Sequence, residues 1–301
     1  MDIAIIGGGP AGLAAGIYTS RAQLDTIIFE KGVLGGQIAL SAEVENYPGF
    51  ESISGGELID KFVFQAEKFG SKIINEEVES ITKTEEGFTI KTNEQEYTAR
   101  SVIIATGATA KMLGVNGESE YYGRGVSTCA TCDGFFFRDK EVVVVGGGDA
   151  AVEEGLFLTK FCSKVTIIHR RDELRASKIL QERAFNNDKI EFVFNTEVQE
   201  IVGDGEVITN VLVRNKETQN EYTIPANGVF VFIGHYPNTS FLVDLVNMNH
   251  EGYIEVADVQ TSEEGVFACG DSSDPIYRQV ATSVGSGVRA AMAAERWISH
   301  G

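Results

Sequence analysis

Short apolar runs punctuate the chain, each closed by glycine or by a charged residue. Residues 2–6, Thr26–Glu30 and residues 101–107 read as strands, as do Val144-Val145, residues 165–169 and residues 265–271. Ala-rich stretches with helical spacing follow two of them. Longer helical patterns cover residues 152–161 and about 280–299. Strands alternating with helices predict an α/β fold. Two of these units repeat: Ile5-Ile6-Gly7-Gly8-Gly9-Pro10-Ala11-Gly12 matches Val144-Val145-Gly146-Gly147-Gly148-Asp149-Ala150-Ala151 without a gap. Each copy is a strand, a glycine turn, a helix and then a second strand. One such turn is a weak signal, but two in the same context point to dinucleotide binding.

The chemistry asks for these residues. The first glycine permits the tight turn, the second lets the backbone approach a pyrophosphate, and the third position allows close packing of helix on strand. Ala151 is the tolerated variant there. The amides at the helix start then face the phosphates. The end of the second strand separates the two copies. It carries Glu30 in the first and His169 in the second, at equivalent positions. A carboxylate accepts hydrogen bonds from ribose hydroxyls and repels a 2′-phosphate. His169, Arg170 and Arg171 favour that phosphate. The first copy is thus expected to hold FAD or NAD, and the second NADP.

Two further strand ends complete the first copy. Residues 101–107 close in Thr106-Gly107, and residues 265–271 close in Gly270-Asp271. Asp271 is a candidate for a sugar or ribityl hydroxyl. The N-terminus of the following helix is suited to negative charge on a reduced flavin ring. The expected fold is therefore α/β with two Rossmann-like dinucleotide-binding domains, the second inserted into the first. Residues 1–112 and 242–301 form one discontinuous domain and residues 113–241 the other. The crossings fall near residues 114–117 and 237–240, both rich in turn formers.

Composition narrows the classes. A length of 301 residues suits two domains, and 43% hydrophobic with 23% charged residues is a globular balance. The formal net charge of −19 opposes binding to nucleic acid or to an anionic membrane surface. The chain starts in apolar pattern without a basic stretch, and no apolar run nears the ~20 residues of a membrane span. A soluble, cytoplasmic protein is expected.

Of the four cysteines, two form Cys129-Ala130-Thr131-Cys132. A zinc site needs two more ligands at short spacing. Cys162, Cys269 and the four histidines form no such local pair, so no metal is expected. A redox disulfide fits better, because its two electrons match one hydride. A pair of inert thiols is the bland alternative. Asp133 adjoins Cys132 and is placed to manage a thiol proton, to cap the turn, or both. Cys162 and Cys269 read as packing, and Trp297 and Phe135-Phe136-Phe137 as core or interface.

With these motifs in place, the chain resembles the low-molecular-weight thioredoxin reductases over essentially its full length. The resemblance is carried by the two glycine turns, Gly35-Gly36-Gln37, Asn46-Tyr47-Pro48-Gly49-Phe50, Cys129-Ala130-Thr131-Cys132-Asp133-Gly134, His169-Arg170-Arg171, and Cys269-Gly270-Asp271 followed by Tyr277-Arg278-Gln279-Val280. It implies an NADPH-dependent thioredoxin-disulfide reductase. Electrons pass from NADPH through FAD and the Cys129–Cys132 disulfide to thioredoxin or a thioredoxin-like protein. It implies FAD contacts from Gly7, Gly9, Pro10, Ala11, Gly12, Glu30, Lys31, Gly35, Gly36, Gln37, Asn46, Thr106, Gly107, Gly270, Asp271, Arg278, Gln279 and Val280. NADPH contacts are implied from Gly146, Gly148, Asp149, Ala150, His169, Arg170, Arg171 and Arg175. Catalysis is implied at Cys129, Cys132 and Asp133, and the working form as a cytoplasmic homodimer. Cys269 departs from the family, whose members commonly carry a small residue without a thiol there. The residues alone do not order the two sulfurs; the resemblance places Cys132 nearest the flavin. A dithiol oxidase and a non-catalytic nucleotide-binding redox sensor are the competing readings. Since both the nicotinamide turn and the cysteine pair lie on the inserted domain, their service of one flavin predicts a rotation about the crossings.

Overall fold

The structure is a computed structural model describing residues 1–41 and 44–300. Ala42, Glu43 and Gly301, inside the span read as the first domain, lie outside the described residues. The chain opens with β1 (Ile3–Ile6), α1 (Pro10–Arg21) and β2 (Thr26–Glu30). It continues through α2 (Gly55–Phe69), β3 (Lys72–Asn75), β4 (Val78–Thr84), β5 (Gly87–Thr92), β6 (Glu96–Ala99), β7 (Ser101–Ile104) and β8 (Ala108–Ala110). Next come α3 (Glu118–Tyr121), β9 (Val126–Ser127), α4 (Ala130–Asp133), β10 (Glu141–Val145), α5 (Asp149–Leu158), β11 (Lys164–Ile168), α6 (Lys178–Phe185) and β12 (Ile190–Val193). They are followed by β13 (Thr196–Gly203), β14 (Ile208–Asn215), β15 (Glu221–Pro225) and β16 (Gly228–Val231). The chain then returns through β17 (His235–Pro237) and β18 (Val266–Ala268) and ends in α7 (Val280–His300). Two compact units result, Met1–Thr109 with Tyr236–Gly301, and Ala110–His235.

The first unit is built on the parallel sheet β18-β7-β1-β2-β3. All four residues of β1 are buried, which the alternation of side chains in a strand explains. Ile3 and Ile5 point into a core with Leu13 and Ile17 of α1 and Ala290 and Ala294 of α7. Ala4 and Ile6 point into a second core with Phe88 and Ile90 of the antiparallel sheet β4-β5-β6. A strand covered on both faces must be apolar throughout, hence the unbroken runs in the sequence. Each fully buried Ile contributes about 2 kcal/mol of transfer free energy. Gly287 lets α7 lie on α1, since a Cβ there would fall 2.1 Å from the Ala11 carbonyl oxygen. α2 starts at a capping box between Ser54 and Glu57 and stops at Gly70, whose φ of 107° is left-handed.

The second unit repeats the plan on the sheet β12-β11-β10-β16-β9. Val143 and Val145 pack towards the antiparallel sheet β13-β14-β15, with Val198 and Val211. Val142 and Val144 pack towards α4 and α5, with Ala130, Ala151 and Leu158. Cys162 is fully buried in that second core. Among the described residues no helix is long and apolar enough to cross a membrane.

Candidate active site

In the first unit the glycine turn joins β1 to α1. Gly7 has φ of +112°, and a Cβ on it would fall 2.3 Å from the Ala105 carbonyl oxygen. A Cβ on Gly12 would fall 1.9 Å from the carbonyl oxygen of Gly7, so the helix start sits hard against the turn. Gly9 behaves differently: none of the described residues comes within 4 Å of its missing Cβ. That open space adjoins the start of α1, where Pro10 occupies a first-turn position, as an approaching pyrophosphate requires. The Glu30 carboxylate is held just below. One oxygen accepts the Gly8 amide at 2.8 Å and the other accepts the Gly32 amide at 3.0 Å. Both oxygens keep lone pairs for ribose hydroxyls. Lys31 turns outward and pairs with Glu77 at 3.1 Å.

Other predicted residues gather in the same unit. Gly35 (φ +94°) donates its amide to the Gly8 carbonyl at 2.9 Å. Gly36 (φ +58°) and Gly107 (φ +68°) both have open space where a Cβ would stand. The Gln37 amide donates to the Ala108 carbonyl at 2.8 Å, and the Asn46 amide to the Gln279 side-chain oxygen at 3.3 Å. The Thr106 hydroxyl is buried without a partner among the described residues. So is Nε of Arg278, a residue held at φ of 47°. Buried polar atoms are rarely left unpaired, and these two ask for a polar ligand. Asp271 lies just beyond β18, in the short turn Gly270–Ser272. Burial pushes its carboxyl up to about 6, against the Ser283 hydroxyl at 3.1 Å and the nearby charge of Arg278. Gly270 donates its amide to the Ser286 hydroxyl at 2.9 Å, and Val280 begins α7. These residues fit a large polar dinucleotide such as FAD. Ser283 and Ser286, on the first two turns of α7, carried no signal in the sequence. A serine there reads as an ordinary helix residue until the tertiary fold brings Asp271 beside it.

In the second unit a Cβ on Gly146 would fall 2.5 Å from the Phe232 carbonyl oxygen and 2.6 Å from Cβ of Ala151. Like Gly9 in the first unit, Gly148 has none of the described residues within 4 Å of its missing Cβ. Asp149 accepts the Ser177 amide at 2.6 Å, and Ala150 is exposed. The Gly147 carbonyl accepts the amides of Arg175 at 2.7 Å and Ala176 at 3.2 Å, tying the basic segment to the turn. His169 is only 5% exposed and its ring backs onto Gly147, where a Cβ would be 2.3 Å from Nδ1. Burial, then the charges of Arg175, Arg171 and Arg170, hold the imidazole below its ordinary range. It is neutral at neutral pH, and its Nε2 has no partner among the described residues. The positive charge of the site therefore sits on Arg170, Arg171 and Arg175, all exposed. None of them forms an ion pair among the described residues. Open guanidinium groups beside a glycine turn fit a nucleotide with an added phosphate.

Cys129 and Cys132 form a disulfide across a Cα–Cα distance of 5.3 Å. Val126–Ser127 leads in, and the hydroxyl of Ser127 accepts the Cys129 amide at 3.0 Å and donates to the Cys129 carbonyl at 3.2 Å. The pair then closes the single turn α4, where the Asp133 amide reaches the Cys129 carbonyl at 3.1 Å. Behind it, Ala130 is buried against the core of α5. Cys129 Sγ accepts the Cys132 amide at 3.2 Å and lies 3.3 Å from the Thr131 hydroxyl. Asp133 is half-buried, and burial raises its carboxyl above the ordinary range, opposed by the Ser127 hydroxyl. Ser127 is a site residue the sequence analysis passed over, although a serine two residues before a turn is a known backbone-bonding pattern. The other thiols are inert: burial pushes Cys162 up to about 11 and Cys269 up to about 12. Phe137 is buried while Phe135 and Phe136 are exposed. Among the described residues no cluster of His, Cys, Asp and Glu could hold a metal.

The comparisons agree with one another. The family model described as pyridine nucleotide-disulphide oxidoreductase matches residues 1–287. A thioredoxin reductase of Bacillus subtilis is 48% identical over 300 residues, covering 99% of this chain and 95% of that protein. One of Listeria innocua is 46% identical, covering 99% and 94%. Among solved structures, the thioredoxin reductase of Streptococcus pyogenes superposes with a TM-score of 0.96 at 44% identity, covering 100% of this chain and 98% of that one. That of Giardia duodenalis superposes with a TM-score of 0.94 at 42% identity, covering 99% and 98%.

Proposed function

The chain belongs to the pyridine nucleotide-disulphide oxidoreductase family, and from that premise we propose that it is an NADPH-dependent thioredoxin-disulfide reductase. The observation that carries the reading is the closed Cys129–Cys132 disulfide, a two-electron acceptor. It lies in the same unit as the second glycine turn and its three open guanidinium groups. FAD belongs to the first unit, held by the Gly7–Gly12 turn, Glu30, Gly36, Thr106, Asp271 and Arg278. NADPH belongs to the second unit, held by the Gly146–Ala151 turn, Arg170, Arg171 and Arg175. The partner is a thioredoxin or thioredoxin-like protein, and the working form is a cytoplasmic homodimer.

FAD, held by these residues of the first unit, would supply two-electron transfer between NADPH and the disulfide. The chain's own residues do the rest. The S–S bond of Cys129–Cys132 breaks, leaving two sulfurs that share the new charge. Asp133, its carboxyl raised by burial, holds a proton further towards neutrality than an exposed aspartate and is placed to exchange it with a thiolate. One thiolate attacks the disulfide of thioredoxin, and the other displaces it from the mixed disulfide. The dithiol of the enzyme is oxidised by two electrons, and the thioredoxin disulfide is reduced by two.

Anaerobic titration tests the reading. NADPH should bleach the flavin absorbance, and oxidised thioredoxin should restore it. Cys129→Ser or Cys132→Ser should keep the bleaching and lose the thioredoxin-dependent recovery. Recovery in either single variant would remove the pair from the path. A protein that consumes oxygen with a small dithiol, and ignores NADPH, is instead an oxidase.

A further inference from the structure

The turn that carries Asp271 is held by α7 at two consecutive residues. Gly270 donates its amide to the Ser286 hydroxyl at 2.9 Å, and the Ser283 hydroxyl donates to Oδ1 of Asp271 at 3.1 Å. Ser286 in turn donates to the Ser283 carbonyl at 2.9 Å. Residues three apart share one face of a helix, so both hydroxyls meet the same turn. Each hydroxyl has one proton to give. Ser286 directs its proton to its own helix and accepts from Gly270, whereas Ser283 directs its proton to the carboxylate. Gly270 is buried at a left-handed φ of +68°, and a Cβ there would fall 3.0 Å from Cβ of Ala11, so the turn has little room to shift.

We propose that Ser283 and Ser286 form a latch on the Gly270–Asp271 turn, in which Ser286 fixes the backbone and Ser283 is the positioning residue that orients the Asp271 carboxylate for the flavin nucleotide. The inference rests on the reductase reading above, in which FAD belongs to the first unit, and deepens it. With Oδ1 held by Ser283, the second oxygen is left to accept a sugar or ribityl hydroxyl. A hydrogen bond to an ionised group is about twice as strong as one to a neutral group, so Ser283 also favours the carboxylate over the acid. That matters here, because burial pushes this carboxyl up to about 6, and only the Ser283 hydroxyl and the charge of Arg278 oppose it. Without the hydroxyl the proton stays on to higher pH, and a protonated Asp271 is the poorer acceptor.

The charges around Asp271 do not depend on this hydroxyl. Arg278 attracts the carboxylate and Asp274 repels it, both from the loop that follows. Tyr253 meets the Arg278 guanidinium at 3.4 Å. Cys269, on the other side of Gly270, is a buried thiol pushed up to about 12 and therefore neutral. Residues 280–288 of α7 carry no ionisable side chain, and α1, which packs on α7, holds only Tyr18 and Arg21, in its second half. The strands β1, β7 and β18 hold none, and Glu30 is clasped by the amides of Gly8 and Gly32. Ser283→Ala leaves all of these in place and removes only the hydroxyl. Alanine is the better helix former, so α7 is kept.

The test is release of FAD from the purified full-length flavoprotein, followed by equilibrium dialysis between about pH 4.5 and about pH 8.5 with free FAD read by fluorescence. In the parent protein Kd should rise about tenfold as the pH falls below about 6 and Asp271 takes its proton. In Ser283→Ala the midpoint of that rise should move up by about one unit, and Ser283→Thr should bring it back. Ser286→Ala should weaken FAD binding at every pH and leave the midpoint in place, because Ser286 holds the Gly270 backbone and not the carboxylate. Asp271→Asn should abolish the rise, since an amide does not titrate. Superposed profiles for Ser283→Ala and the parent would overturn the proposal, as would a Ser286→Ala midpoint moved as far as that of Ser283→Ala. A parent profile without the rise would remove Asp271 from the flavin site, and the latch with it. The dialysis needs neither NADPH nor thioredoxin, so it fails independently of the anaerobic titration that tests the reductase reading.

Discussion

Asp271 is a carboxylate in an uncomfortable place, and that discomfort is measurable. Burial raises its carboxyl to about 6, so the folded protein holds this proton more tightly than the unfolded chain does. Below about pH 4 the group is protonated in both states and contributes nothing. Between about 4 and about 6 the unfolded chain ionises first, so stability falls as the pH rises. Above about 6 the cost is fully present, at about 1–3 kcal/mol. Asp271→Asn should remove that slope. In flavin-free protein, urea midpoints should favour the variant over the parent more at about pH 7.5 than at about pH 4.5, while flavin affinity falls. A constant difference between the two proteins across that range would show that Asp271 is not strained. Arg170 and Arg171 make a second prediction of the same grain. With His169 neutral and buried, discrimination for a phosphate is expected to fall to the two guanidinium groups. The parent should prefer NADPH to NADH by at least about tenfold in kcat/KM, or ~1.4 kcal/mol. Arg170→Ala with Arg171→Ala should erode that preference mainly through KM for NADPH. Equal use of both nucleotides by the parent would defeat it.

At the scale of an element, neighbouring glycines of one turn have different work. Gly147 is needed for the fold, since a Cβ there meets the buried ring of His169 at 2.3 Å. Gly148 is not, since no described residue lies within 4 Å of its missing Cβ. Gly147→Ala should therefore destabilise the second unit by about 1–3 kcal/mol, the usual cost of overpacking. Gly148→Ala should leave stability within about 0.5 kcal/mol yet raise KM for NADPH, because the methyl group occupies the approach of the pyrophosphate. Melting curves and steady-state kinetics on the two variants separate the roles. A Gly148→Ala protein with unchanged KM would mean the nucleotide binds elsewhere. Gly9 should behave like Gly148, with flavin content as the readout.

For the whole molecule, each unit owns its cores. Ile3, Ile5 and Ala290 belong to one unit, and Val143, Val145 and Val211 to the other. Ligands that bind one unit should stabilise that unit by mass action, about 2.7 kcal/mol when present at a hundred times Kd. Removal of the flavin should lower one of two calorimetric transitions and leave the other in place. NADP⁺ added to the flavin-free protein should raise the transition that flavin removal spared. A single transition that moves with both ligands would mean the units unfold together.

Much of this was readable in the chain because the relevant physics is local. A glycine turn is set by backbone sterics over a few residues, so the repeat at Gly7 and Gly146 announced two Rossmann-like units by itself. Unbroken apolar runs declared strands covered on both faces, and two cysteines three positions apart declared a small redox ring. Glu30 and His169 could be compared because the repeat fixed their register. Tertiary structure decided what depends on residues remote in sequence. It buried His169 against Gly147 and so moved the charge of the site onto the arginines. It brought Ser283 to Asp271 and pressed Gly287 onto Ala11. It clasped the Glu30 carboxylate between two amides and left the hydroxyl of Thr106 without a partner among the described residues. Burial and proton affinity are set by what surrounds a group in three dimensions, and a short window of sequence does not contain those neighbours.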